Sequence, residues 1–505
     1  MSLDLVMLIG AAVLLVAVMS SRVGSRLGLP SLLLFLGVGM ALDPFGLHFS
    51  DPDLAHALGF AALVFILGEG GLATRWEDIR GSLRLAGLLA TLGVVVSVGL
   101  VAAFAHYVFS LSWAQAVLLG AVTAPTDSAA IFAVMRSVPL PAHIRSTLEG
   151  ESGLNDAPIV LLVGMATAWA AGSLPEGGPV AIAALVLVEL AGGIVLGLGI
   201  GFAAAWLLKR VAFPASGLFV LAVMGFIVLS YGLGVLVHVS GFAAVYVCAV
   251  VLGNSGLAHR QATKSFAEGI GWIAQIGLFV MLGMLSNPFR ITTPFLVEGL
   301  VVGAFLTLVA RPVSVFVCAV WFRLPLREMA FISWAGLRGA VPIIMATVPL
   351  AAGIPESAGL FDAVLVLVIV YTVVQAPSLQ FVARLLGVSS GDDPVDIEVE
   401  VAPLDKIQAD FMQIRVPKES KLQGVTVQEL RLPPLTMVAV LIRNGQPRSV
   451  ESHDRILVGD ELMIVVPSRL RTAVEERFKQ VSEHGRLASW LPTKSPQRRD
   501  ADPGR

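Results

Sequence analysis

The chain has 505 residues, 56% of them hydrophobic and 14% charged, with a formal net charge of −2. Soluble proteins carry about 25% charged residues, and here the deficit is local: residues 1–384 hold 35 charged side chains, and residues 385–505 hold another 35. The first three-quarters is therefore a membrane domain and the last quarter soluble, which excludes a soluble enzyme, a secreted protein and a nucleic-acid binder.

The apolar N-terminus has no Lys or Arg before it and reads as a retained first span, not a cleaved signal. A span needs about 20 mostly apolar residues. Thirteen stretches qualify, near 3–21, 29–42, 54–74, 85–108, 113–135, 146–171, 180–207, 216–236, 239–255, 266–286, 294–320, 328–351 and 359–383. The second and ninth are short, and only a tight turn around His238, Val239 and Ser240 separates the eighth from the ninth. Cys248 and Cys318 sit in apolar runs and read as buried small residues, not metal ligands.

Basic residues test the count. Loops after odd-numbered spans carry 14 of them (Arg22, Arg26, Arg75, Arg80, Arg84, Arg136, Arg145, Lys209, Arg210, Arg260, Lys264, Arg323, Arg327 and Arg384), whereas loops after even-numbered spans carry Arg290 alone. The positive-inside rule then predicts an outside N-terminus and a cytoplasmic tail. An odd count also lets spans 1–6 and 8–13 be related by inversion, an architecture common in secondary transporters.

Charges at mid-membrane are costly, so each is a functional candidate. In the fifth span, Pro125 is flanked by Thr123, Thr126, Asp127 and Ser128. Proline removes a backbone donor, and a span interrupted this way leaves two half-helix ends at mid-depth, one attracting anions and the other cations. A kinked structural helix with a capping aspartate is the plainer alternative. In the sixth span, Ser152 and Asp156 share one helix face, and Glu151 and Asn155 share the neighbouring face. Ser152 and Asp156 offer adjacent oxygens suited to a hard monovalent cation. A dehydrated carboxylate there can hold a proton or a cation but not both, which is enough to couple two fluxes. A polar stripe packed on another helix is the alternative.

In the twelfth span, Arg338 stands beside Gly339, with Pro342 four residues on. An arginine cannot discharge itself, so it needs an anionic partner or a shell of carbonyls. Glu151 is the expected partner. Under inversion the fifth span pairs with the twelfth, and both are expected to be broken by proline. Two interrupted spans in corresponding positions point to a substrate site. Glu69 in the third span reads equally as a cavity wall or a packed helix end. Arg311, followed by Pro312, reads as a kink with a snorkelling arginine, and Glu189 as structural.

The segments TAPTDSAAI, GESGLNDAPI and LRGAVPI, in this order on these spans, resemble the monovalent cation:proton antiporter superfamily, in its Asn-Asp or NhaP-type branch. The resemblance covers about residues 1–385. It implies a homodimer in which spans 1–3 and 7–10 form a dimerisation domain. It further implies a mobile core of spans 4–6 and 11–13, with two crossed, unwound helices and an elevator-like stroke. Position by position, it implies that Asp156 binds cation and proton, that Thr126 and Asp127 lie near the ion, and that Ser152 supplies a hydroxyl. Glu151 and Arg338 would form a buried structural pair. Asn155 stands where the electrogenic branch has a second aspartate, which implies electroneutral exchange. Glu69 matches less surely.

Residues 386–402 read as a linker, rich in Ser, Gly, Asp and Pro. Residues 403–480 alternate like strands in FMQIRVP, TMVAVLIR and ELMIVVP, with a short helix in VTVQELR and an amphipathic one in RLRTAVEERFKQ. The segment resembles the TrkA-C (RCK-C) domain, which implies regulation by a small molecule or cyclic dinucleotide. No Gly-rich dinucleotide fingerprint accompanies it. Residues 481–505 are expected to be disordered. This tail on this membrane domain resembles the cell-volume-regulation branch, which implies potassium rather than sodium exchanged for protons at the bacterial inner membrane.

The fold class read from the sequence is thus a polytopic α-helical membrane protein of about 13 spans with a small α+β cytoplasmic domain. Two rival readings make demands of their own. A cation channel would need a filter of stacked carbonyls or charged rings, and no such stretch is present. An intramembrane serine protease would use Gly150-Glu151-Ser152-Gly153, but His106, His143 and His238 all lie at span ends, out of reach as a base.

Overall fold

The computed structural model describes residues 3–27, 31–42, 49, 51–127, 140–173, 178–211, 213, 215–286, 291–388, 399–404, 409–416, 420–443, 446–467 and 470–485. The chain divides into two compact units, Met1–Ser390 and Gly391–Arg505.

The first unit is helical. In chain order it contains α1 (Leu3–Leu27), α2 (Ser31–Leu42), α3 (Pro52–Ala73), α4 (Leu83–Phe109), α5 (Trp113–Thr123), α6 (Ala142–Ala170), α7 (Gly178–Leu208) and α8 (Ser216–Leu236). It continues with α9 (Gly241–Asn254), α10 (Arg260–Leu285), α11 (Thr293–Phe322), α12 (Leu326–Trp334), α13 (Ala340–Ala351) and α14 (Ser357–Leu385). Eight of the described helices are long and apolar enough to cross a membrane, and five shorter apolar helices accompany them. Their starts follow local rules. The Asp51 side chain accepts from Leu54 N with Pro52 in the first turn of α3, and Ser112 and Gln115 close a capping box on α5.

Packing sorts the helices into two bundles. In one, α2 and α3 pack on α10, α9 packs on α3, and α7 and α8 pack on α9. In the other, α4 packs on α5 and α6, and α14 packs on α11 and α13. Small residues set the closest approaches: a Cβ on Gly71 would meet Ala249 at 2.6 Å, and one on Gly197 would meet the Ala244 carbonyl at 2.6 Å. A single π-turn interrupts α4 at Leu89–Gly93 and another interrupts α11 at Leu306–Ala310. Under the inversion expected from the sequence, these two helices correspond.

The breaks differ in cause. In the fifth span α5 ends at Thr123 and residues 124–127 are non-helical; residues 128–139, with Ser128, lie outside the described residues. In the twelfth span the helix stops at Trp334 and resumes at Ala340. Pro342 does not make this break. It sits in the first turn of α13, where its missing N–H had no intrahelical acceptor to lose. The interruption is the Gly336–Gly339 segment.

The second unit is a five-stranded antiparallel sheet in the order β1-β2-β5-β3-β4, with β1 Val399–Leu404, β2 Ala409–Arg415, β3 Met437–Arg443, β4 Gln446–Arg448 and β5 Glu461–Pro467. Leu462, Ile464 and Val466 alternate onto one face of β5. They share a core with Val474, Phe478 and Val481 of α15 (Arg471–His484). β1 begins inside the segment expected to be linker, and its pairing with β2 explains this: an edge strand needs only a neighbour, not a strongly apolar sequence. Residues 389–398 and 486–505, the remainder of the expected linker and tail, lie outside the described residues.

Candidate ion-binding site

The two interrupted spans meet. The Asp127 N–H donates to the Leu337 carbonyl at 2.9 Å, and the Asp127 carboxylate accepts from Ala340 N at 2.8 Å. Asp127 thus holds the exposed N–H end of α13, where a negative charge matches the helix dipole. A Cβ on Gly339 would collide with that carboxylate. Arg338 does the converse. Its guanidinium donates to the Gly336 carbonyl at 2.5 Å and to the Thr123 carbonyl, at the C-terminal end of α5, at 3.5 Å. Its own carbonyl accepts from Thr372 Oγ1 of α14 at 2.5 Å. The N-terminal end of α13 and the C-terminal end of α5 are thus each met by a side chain of opposite sign from the other broken span.

Arg338 is therefore not the partner of Glu151. The Glu151 carboxylate receives both arms of Arg311, at 2.5 and 2.8 Å, with the two residues only 2% and 4% exposed. The expected Glu151–Arg338 pair is corrected to Glu151–Arg311, and Arg311 does not snorkel. The reason lies in placement: Arg311 follows directly on the π-turn of α11, which sets it facing α6, while Arg338 is occupied with carbonyls. One signal could have found this: an arginine in the middle of an apolar span must be balanced somewhere.

The α6 residues complete the site. Thr126 and Ser152 share a hydrogen bond of 3.0 Å between their hydroxyls, and Asn155 Nδ2 donates to Thr126 Oγ1 at 2.7 Å. With the amide donor committed to Thr126, the carbonyl oxygen of Asn155 has no hydrogen-bond partner; Oδ1 of Asp156 has none either, and both atoms are buried. Pro158, inside α6, removes the N–H that would close on the Leu154 carbonyl. A carboxylate, an amide oxygen and hydroxyls form a donor set that suits a hard cation. The Glu69 carboxylate, by contrast, packs against Gly271 of α10. The Ser152 hydroxyl pairs with Thr126, not with a histidine base.

Two broken helices that meet beside a buried carboxyl group with one oxygen lacking a hydrogen-bond partner define an ion-coupled secondary transporter. The chain belongs to the sodium/hydrogen exchanger transmembrane family, which matches residues 11–385. It is 32% identical over 490 residues to the K(+)/H(+) antiporter NhaP2 of Shewanella baltica, covering 96% of this chain and 84% of that one. It is 33% identical over 462 residues to the K(+)/H(+) antiporter NhaP of Alkalimonas amylolytica, covering 88% and 78%. The fold is similar to that of the sodium proton antiporter MjNhaP1 from Methanocaldococcus jannaschii, with a TM-score of 0.65 at 20% identity, over 77% of this chain and 100% of that one. The protein is a multi-pass cation/proton antiporter, not an enzyme.

Proposed function

We propose that this antiporter exchanges potassium for protons, one for one, at a single site on α6. The observation that carries the reading is the pair of buried, unpartnered oxygens on Asn155 and Asp156 beside the Thr126–Ser152 hydroxyls. A dehydrated cation would find its ligands there, and a proton on Asp156 would displace it. Asp127, Thr126 and Ser152 hold and complete the site, and the Glu151–Arg311 pair and Arg338 brace it. Asn155 brings no second charge, so one proton replaces one cation. The names of the NhaP2 and NhaP relatives favour potassium over sodium.

The charge bias of the loops supports an outside N-terminus and a cytoplasmic strand-rich unit in the bacterial inner membrane. That unit, residues 403–480, would regulate exchange as a TrkA-C-like domain, and the transporter would work as a homodimer.

Proton flux in everted vesicles, followed by dequenching with potassium, sodium, rubidium and lithium in turn, tests the reading. Potassium should give the largest response, and Asp156→Asn should abolish all of them while the protein remains folded. Normal exchange in Asp156→Asn, or flux that only runs downhill as through a channel, would defeat it.

A further inference from the structure

A second feature of the membrane unit lies beside the candidate ion site. A cavity of about 630 Å³ lies between the two bundles, with Gly87 of α4 and Leu154 of α6 on one wall and Leu198 and Phe202 of α7 and Tyr246 of α9 on the other. Phe202 and Trp76 on its rim are 62% and 48% exposed, so it opens onto the flank of the helices, where the bilayer lies. Most of its polar wall groups are already committed. The Thr91 hydroxyl donates to Gly87 O, and that of Ser255 to Val251 O. The Asn254 amide donates to Thr74 O and accepts from Trp76 N. An ion or a file of waters would find few ligands in such a wall, whereas a hydrocarbon chain would find mostly contact area.

The chain segments that enter the cavity at its open end are basic. Arg75, Arg80 and Arg84 flank the wall residues Trp76, Ile79 and Leu83, against Glu77 and Asp78. Lys209 and Arg210 end α7 below Phe202, with Arg210 stacked 3.9 Å over Trp206. We infer that this cavity binds one acyl chain of an anionic phospholipid, with the phosphate held by the arginines of the Arg75–Arg84 segment. The chain would lie directly against α6 beside Asn155 and Asp156, and so would set the spacing between the ion-carrying helix and α7 and α9. The inference is independent of which cation is exchanged.

Gly87 supplies the test, because a Cβ there meets nothing within 4 Å and a longer side chain would extend into the cavity. The full-length protein is examined by native mass spectrometry with phosphatidylglycerol and phosphatidylcholine of identical acyl chains. Phosphatidylglycerol should be retained about tenfold better. Gly87→Leu should remove most of that retention, and Arg80→Gln with Arg84→Gln should equalise the two lipids. Equal retention of both lipids by the unmodified protein, or undiminished retention by a folded Gly87→Leu, overturns the proposal. A nitroxide on Gly87→Cys gives a second readout. Relaxation by oxygen rather than by a water-soluble nickel chelate supports an acyl chain. Relaxation by nickel means a water path, and dipolar broadening means a second protein copy; either overturns it.

Discussion

The carboxylate of Asp127 fills the space in which a Cβ on Gly339 would stand, and from there accepts the first free N–H of α13. The crossing of the two broken spans depends on this substitution of a side chain from one for the missing side chain of the other. Gly339→Ala should force Asp127 off the helix end. The lost cap costs about 0.5–2 kcal/mol and the overpacking about 1–3 kcal/mol. Thermal unfolding in detergent should therefore fall by several degrees, with loss of exchange. Asp127→Asn keeps an acceptor oxygen at the cap and should unfold within about 1 kcal/mol of the unmodified protein. A Gly339→Ala variant as stable and active as its parent would show that the crossing tolerates a side chain.

Glu151 and Arg311 should behave as one unit. Removing either alone strands a buried charge, at about 3–5 kcal/mol. Arg311→Met with Glu151→Gln should recover a large part of that loss. Glu151→Gln and Arg338→Ala share no hydrogen bond and are linked only through Arg311 and Gly336, so their interaction energy should be smaller than that of Glu151 with Arg311. Double-mutant cycles on unfolding free energy distinguish the two pairings.

Thr126→Val conserves volume but removes the hydroxyl that joins Asn155 to Ser152. The stranded donors should cost about 1–3 kcal/mol, and the cation concentration for half-maximal exchange should rise roughly tenfold. Unchanged cation dependence would place the ion elsewhere.

Competition for one carboxylate fixes how pH and cation concentration trade. Protons should inhibit exchange as pH falls, and each tenfold increase in cation should move the midpoint down by about one pH unit, by mass action. A midpoint that stays fixed would mean separate seats for the two ions.

In the strand-rich unit, Asp460 is buried, accepts both arms of Arg443 at 2.9 and 2.7 Å and also accepts Leu457 N at 2.8 Å. These bonds hold the Arg443 guanidinium above its ordinary value. A raised cationic group stabilises fully below its unfolded value and loses that only above it, so this contribution is constant throughout the physiological range. Asp460→Asn should weaken the unit by about 1–3 kcal/mol, seen as faster proteolysis after residue 390, without altering ion selectivity. Deleting residues 401–505 should likewise change the response to pH or ligand more than the preference among cations.

Much of this was legible because a bilayer leaves a chain few choices. Without water to satisfy its backbone, an apolar stretch of some 20 residues must be helical, and the clustering of Asp127, Glu151, Ser152, Asn155 and Asp156 within two spans marked the candidate site. In the tail, alternation revealed β2, β3 and β5, but the edge strands β1 and β4 carry little apolar pattern and emerged only from pairing. Composition likewise could not reveal the cavity behind α6, since its lining residues look like any lipid-facing helix.

Sequence by itself determined where the long apolar helices lie, that the fifth and twelfth spans are interrupted, and which polar side chains are candidates for the site. Tertiary structure alone decided who meets whom: that Glu151 answers Arg311, that Arg338 rests on carbonyls, and that glycine rather than proline opens the twelfth span. The physical reason is that the bilayer acts on each residue through its local neighbours, whereas a buried charge is neutralised by whichever group packing brings within about 3 Å, however far away in the chain.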